Sequence, residues 1–149
     1  MSKRTLKMNR LITILILGLV CFNVDFGLAQ VGINTTTPLS TLDINGNLSV
    51  KNVTLTGSSS ATLISDGVYI SVAPQATDQE FRLPSPVSFP GRIYIIRNIQ
   101  NSITAKLTTT VGLLFPKGST TGSTEIFMYE GSKRSIIAIS DGLNWTYFD

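Results

Sequence analysis

Histidine is missing from this chain altogether, and Cys21 is its only cysteine. The first absence removes the commonest general base near neutral pH and the commonest ligand of transition metals. The second rules out an intrachain disulfide and a zinc site built on several thiolates. Charge is thin as well. Only 14% of the residues are Asp, Glu, Lys or Arg, so no long basic or acidic block exists to act as a footprint for nucleic acid or anionic lipid.

What is present begins with an address. Lys3, Arg4, Lys7 and Arg10 form a basic leader. Leu11 to Phe22 is an apolar run of 12 residues, interrupted only by Thr13 and Gly18, whereas a membrane span needs about 20. Gly27-Leu28-Ala29 then places small residues at the two positions a signal peptidase inspects. This layout predicts a secretory signal peptide over residues 1–29, cleaved after Ala29. A lipoprotein anchor at Cys21 is disfavoured, because Val20 precedes it and the apolar run continues into Phe22. Four of the twelve basic and one of the nine acidic residues lie in the leader. The remainder carries eight of each and no net charge. Residues 30–149 suit a single domain that buries roughly two-thirds of its unfolded surface.

No segment of 30–149 shows a helical apolar stripe. Ser, Thr, Val and Ile dominate, and Gly, Asn-Gly or Asp-Gly punctuate the chain at short intervals, which predicts short strands joined by tight turns. Residues 31–38 read as extended, with Pro38 biasing Thr37 away from helix. Thr41 to Val50 reads as a hairpin around Asn45-Gly46-Asn47, in a register that pairs Ile44 with Leu48 and Leu42 with Val50. Val53 to Ser60 reads as a strand running into a flexible joint. Ala61 to Val72 reads as a second hairpin around Asp66-Gly67, with Ala61, Leu63, Val68, Ile70 and Val72 on one face. Further strands are expected at Phe81 to Leu83, Arg92 to Ile99, Thr104 to Val111, Thr124 to Tyr129, Arg134 to Ser140 and Asn144 to Phe148. Arg92 to Ile99 is apolar on both faces, as a central strand should be. Ile64-Ser65-Asp66-Gly67 recurs as Ile139-Ser140-Asp141-Gly142, which reads as two similar hairpins meeting the same turn requirement.

Several constellations call for weighing. Asp43, Asn45 and Asn47 have the alternation that opens a calcium loop, but Gly46 comes too early and Thr54 stands where the closing glutamate belongs. Asp78 and Glu80 are close enough in sequence for a carboxylate pair, but both flank a turn and read as solvated. The Ser/Thr clusters at 35–37, 58–60 and 108–110 have no basic partner at a diagnostic spacing. Gly118 to Gly122 lacks the lysine of a phosphate loop. Trp145, Tyr147 and Phe148 suit either a core or a sugar-stacking platform; core is preferred, with Trp145 and Tyr147 sharing a face with Ile136 and Ala138. Asn34, Asn47, Asn52 and Asn144 head N-glycosylation triplets, which a bacterial host would leave unused. No catalytic, cofactor-binding or metal-ligating residue is assigned.

Two stretches carry a resemblance. Val31-Gly-Ile-Asn-Thr-Thr-Thr-Pro38, followed by Leu42-Asp-Ile-Asn-Gly-Asn-Leu48, resembles the VGIGTxxPxxxLDVNG motif of secreted Gram-negative proteins and phage tail-fibre shafts. Phe81 to Pro86, Pro90 to Ile99 and Ser140 to Trp145 resemble a β-rich fibre-head module with an SDGTNW turn. The chain departs at Asn34 and Leu143, where the family usually has glycine and threonine. The resemblance implies an all-β, often trimeric, fibre-like or surface-displayed protein.

The expectation is therefore an all-β chain with three parts: a signal peptide at 1–29, an extended shaft-like segment at 30–57 and a small antiparallel β-sandwich or barrel-like head at 58–149. Its expected work is non-enzymatic, as a structural or adhesive surface module, secreted, surface-borne or periplasmic in a Gram-negative bacterium. A homo-oligomer, a trimer by the resemblance, is the expected partner. A surface glycan or envelope protein would meet the loops at 57–60, 73–79 and 116–123. Nucleic acid, a cofactor and a membrane span after leader removal are not expected. The alternative function is a carbohydrate-binding module. A third is a small secreted hydrolase built on two carboxylates from distant strands.

Overall fold

The computed structural model describes residues 12–16 and 30–149. The chain divides into two compact units, Met1–Leu48 and Ser49–Asp149. The expected signal peptide and Cys21 lie outside the described residues, except for 12–16, a short exposed helical segment. No helix among the described residues is long and apolar enough to cross a membrane.

In the first unit, β1 (Val31–Ile33) and β2 (Leu42–Ile44) pair in parallel, Val31 beside Leu42 and Ile33 beside Ile44. This replaces the expected hairpin at 41–50. The cause lies in the polar side chains. Asn34, held at φ +59°, and Asn45 each donate a side-chain hydrogen bond to the other's carbonyl, at 3.1 and 3.4 Å. The Asp43 carboxylate accepts from the Leu39 amide at 2.8 Å. Residues 34–41 are thereby folded back so that β2 runs beside β1, and 47–50 form no strand. Asn tolerates the left-handed region that a glycine would otherwise supply.

The second unit is all-β and wound rather than meandering. Its strands are β3 (Asn52–Thr56), β4 (Thr62–Leu63), β5 (Tyr69–Ala73), β6 (Gln79–Leu83), β7 (Ile93–Asn98), β8 (Ala105–Thr109), β9 (Leu114–Pro116), β10 (Glu125–Met128), β11 (Ser135–Ser140) and β12 (Trp145–Phe148), with a 3-10 turn at Pro86–Ser88. From β3 to β10 the chain alternates between two sheets. One is six-stranded, ordered β3-β5-β7-β11-β12-β9; the other is four-stranded, ordered β10-β8-β6-β4. Strands two apart in sequence therefore become neighbours and run parallel: β3 with β5, β5 with β7, β4 with β6 and β6 with β8. The expected antiparallel sandwich is thus a mixed one. Only β7, β11 and β12 in one sheet, and β8 with β10 in the other, pair antiparallel.

The expected hairpin at 61–72 is a crossing between sheets. Gly67 takes φ +82°, where a side chain is strained, and a Cβ there would crowd Val53. The turn docks on the start of β3: the Lys51 carbonyl accepts from the Val68 and Tyr69 amides, and the Lys51 ammonium pairs with Asp66. Ile64 enters the core while Leu63 stays exposed, the reverse of the expected facing. The second Asp-Gly turn does close a hairpin. Asp141 accepts from the Leu143 and Asn144 amides, and β11 returns as β12. Strand β3 belongs to this second unit, which begins at Ser49.

One core lies between the sheets. Ile70, Val72, Tyr94, Ile96, Ile136, Ala138, Trp145 and Tyr147 meet Phe81, Leu83, Ala105, Leu107, Ile126 and Met128. Strand β7 is interior, as its sequence implied, with Tyr94 and Ile96 fully buried and Ile93 turned outward. Among the described residues every buried side-chain polar atom has a hydrogen-bond partner.

Candidate functional site

Alternation along β6, β8 and β10 sends Phe81, Leu83, Ala105, Leu107, Ile126 and Met128 inward. The residues between them therefore face outward from the four-stranded sheet. Register aligns them in rows. Glu80 lies beside Lys106, and Lys106 beside Phe127; Arg82 lies beside Thr108, and Thr108 beside Glu125. Phe127 stacks with Tyr129 at a ring-centroid distance of 6.2 Å, and Tyr129 is about half exposed. The face is thus aromatic at its β10 edge and charged across its middle.

Glu80 is the organised charge. Its Oε1 accepts from Thr108 Oγ1 at 2.6 Å, from Arg82 Nη2 at 2.7 Å and from Arg82 Nε at 2.9 Å, and Oε2 takes none of these bonds. The Thr108 hydroxyl first, and the Arg82 guanidinium after it, hold the carboxyl below its usual 4.5 against the opposing effect of burial. A depressed folded value stabilises the fold above the unfolded pKa, and that stabilisation is lost as pH falls through the folded one. Thermal melts should therefore show wild type losing stability below about pH 4.5, with a shallower loss in Glu80→Gln. Equal slopes would mean that these bonds do not favour the ionised form.

Beside this face lies a cleft of about 280 Å³ lined by Ser58, Ser59, Ser60, Ala61, Thr77, Asp78, Gln79, Glu80 and Lys106. Two of the three loops expected to make contacts meet here. The Gly57 amide donates to the Ala73 carbonyl at 3.0 Å, and Gln79 Oε1 accepts from the Gln75 amide at 2.7 Å. A side chain on Gly57 would strike the Gln79 carboxamide, so glycine is what lets the loops close on each other. Asp78 sits at φ +61°, anchored by its amide to the Thr104 carbonyl at 2.9 Å, with its side chain exposed and without a protein hydrogen-bond partner. The loop at 116–123 does not line this cleft; it comes after β9, at the edge of the other sheet.

Asp78 and Glu80, read from sequence as solvated loop charges, both line the cleft. Glu80 is ionised and committed to Arg82 and Thr108, a poor state for a general acid, which needs a raised pKa. Trp145 and Tyr147 are in the core. Trp145 Nε1 donates to the Pro84 carbonyl at 3.2 Å and its ring meets Tyr94 at 5.6 Å. Phe148 faces outward, with Lys117 Nζ 5.5 Å from its ring centre. Asp43 is engaged by the Leu39 amide in the first unit. Sequence reasoning missed the Phe127 and Tyr129 pair. Their i, i+2 spacing on a strand with buried Ile126 and Met128 was the available signal.

Comparison with protein-family models, curated proteins and solved structures finds no match to this chain.

Proposed function

We propose that this protein is an exported, non-enzymatic structural or adhesive module that self-associates through its N-terminal unit and works through the exterior of its second unit. The observation that carries this reading is the first unit's exposed apolar surface. Val31, Ile33 and Leu42 are each more than half exposed on a two-stranded parallel sheet, and Leu39 and Leu48 are more exposed still. Two isolated strands do not bury enough to be stable in water, and copies of the same strands are a natural cover. The resemblance of 31–48 to fibre-shaft sequences supports the same assembly, a trimer by analogy, and the basic and apolar leader supports export to the periplasm or cell surface.

Sedimentation equilibrium of the exported chain at micromolar concentration tests it. The expected mass is a multiple of the protomer, and Ile33→Asp with Leu42→Asp should return it to one protomer while the second unit keeps its strand signal in circular dichroism. A wild-type chain that sediments as a single protomer removes the reading. Intact-mass analysis of the exported protein should place its first residue at Gln30. The carbohydrate-binding alternative cannot rest on Trp145 or Tyr147, which are core residues, and tryptophan fluorescence would not report such a ligand directly.

A further inference from the structure

We propose that the outer face of the four-stranded sheet, together with the adjoining cleft, binds a neutral oligosaccharide. Three features meet there. The first is Tyr129, about half exposed beyond the edge strand and backed by Phe127 stacked at 6.2 Å, a ring that the C–H side of a pyranose can meet. The second is the row Glu80–Lys106–Phe127, which carries the surface from the rings to the cleft across two strand spacings, about 10 Å. That span suits an oligosaccharide rather than a single sugar. The third is the cleft's supply of unspent hydrogen-bonding groups. Glu80 Oε2 is left over from the Arg82 and Thr108 bonds, Asp78 has a free carboxylate, and Ser59 also lines the cleft, whereas the Ser58 hydroxyl is spent on the Ser60 carbonyl.

Carboxylates accept strongly from hydroxyl pairs, and ionised acceptors make the shorter, stronger bonds. Glu80 is already oriented by three donors, so little ordering is left to be done on binding. The charge selects the ligand class. With Glu80 paired to Arg82, the unpartnered carboxylate of Asp78 disfavours phosphate or uronate, while a neutral polyol can donate to it. This inference rests on the reading that the second unit works through its exterior, and it does not depend on assembly through the first.

The test is a printed array of neutral oligosaccharides (gluco-, manno-, galacto- and N-acetylglucosamine series), probed with the full exported chain, then titration calorimetry on the best binder. Tyr129→Ala removes an exposed ring, and Asp78→Asn keeps a residue that tolerates the same backbone, so both variants should fold. Each should weaken binding roughly tenfold. Ile137→Ser, on the outer face of the six-stranded sheet, should leave it unchanged. A wild-type chain that binds none of the neutral sugars overturns the inference. So does binding that survives both variants undiminished. In either case sedimentation of the same preparation reports separately on self-association, so the two readings fail independently.

Discussion

Replacing Asn98 with aspartate should leave the second unit unfolded near neutral pH and let structure return on acidification. Asn98 is fully buried at the end of β7. Its Nδ2 donates to the Ile103 carbonyl at 2.8 Å and to the Met128 carbonyl at 3.0 Å, and its Oδ1 accepts from the Gln100 amide at 3.0 Å. The residue therefore ties the six-stranded sheet to β10 of the four-stranded one. A carboxylate in its place has no proton to give and would point negative charge at two carbonyl oxygens. Each unsatisfied buried group costs about 1–3 kcal/mol, and an unpaired buried charge costs more. Against a total of about 5–15 kcal/mol, that is enough to unfold a domain of this size. Asn98→Leu is the comparison. It loses the same bonds without adding charge, and should cost about 2–4 kcal/mol independently of pH. The sign for aspartate comes from its folded pKa being raised: the variant is least unstable below the unfolded value, about 3.9, and worsens as pH rises. Circular-dichroism melts of both variants and wild type, at about pH 4 and pH 7.5, measure this. A Tm gap between the two variants that does not change with pH would refute it.

Trp145→Ala should be the most damaging substitution to an apolar residue. The indole is fully buried, packs on Tyr94 and donates to the Pro84 carbonyl. Truncating a buried tryptophan costs about 3–5 kcal/mol, because a dense core collapses only partly around the hole. For a unit of this size that corresponds to a fall in Tm of roughly 12–30 °C. Trp145→Phe keeps most of the packing and loses the N–H bond, so its cost should be about 1–2 kcal/mol. Calorimetry on the three proteins decides. A Trp145→Ala melt within a few degrees of wild type would mean that β12 does not close the core.

The most legible parts of the sequence were the strongly patterned strands. Arg92 to Ile99 announced an interior strand through apolar residues on both faces. Arg134 to Ser140 and Asn144 to Phe148 announced a hairpin, because Asp141-Gly142 has the chemistry for it and the strands on either side are each other's nearest partners. The same Asp-Gly chemistry misled at 66–67. There the turn is equally well formed, but the next strand, β5, pairs with β3 and β7 instead of with β4. A turn dictates a local reversal. It does not dictate which strand becomes the neighbour.

The candidate site divides along the same line. The loop compositions at 57–60 and 73–79 led to an expected contact surface, and residues of both loops line one cleft. The aromatic part went unread because Phe127 and Tyr129 look no different from core aromatics until the sheet assigns its faces, and Trp145, the more conspicuous ring, is internal.

By itself the sequence determined that the chain is β-rich and that it has no imidazole and no intrachain disulfide, since these depend on residue types and their local periodicity. Only the tertiary structure decided that the strands wind alternately through two sheets in largely parallel pairing, and which aromatic rings stay on the surface. Both outcomes come from contacts between residues far apart in the chain, made when one shared core chooses its lining, and no local pattern encodes that choice.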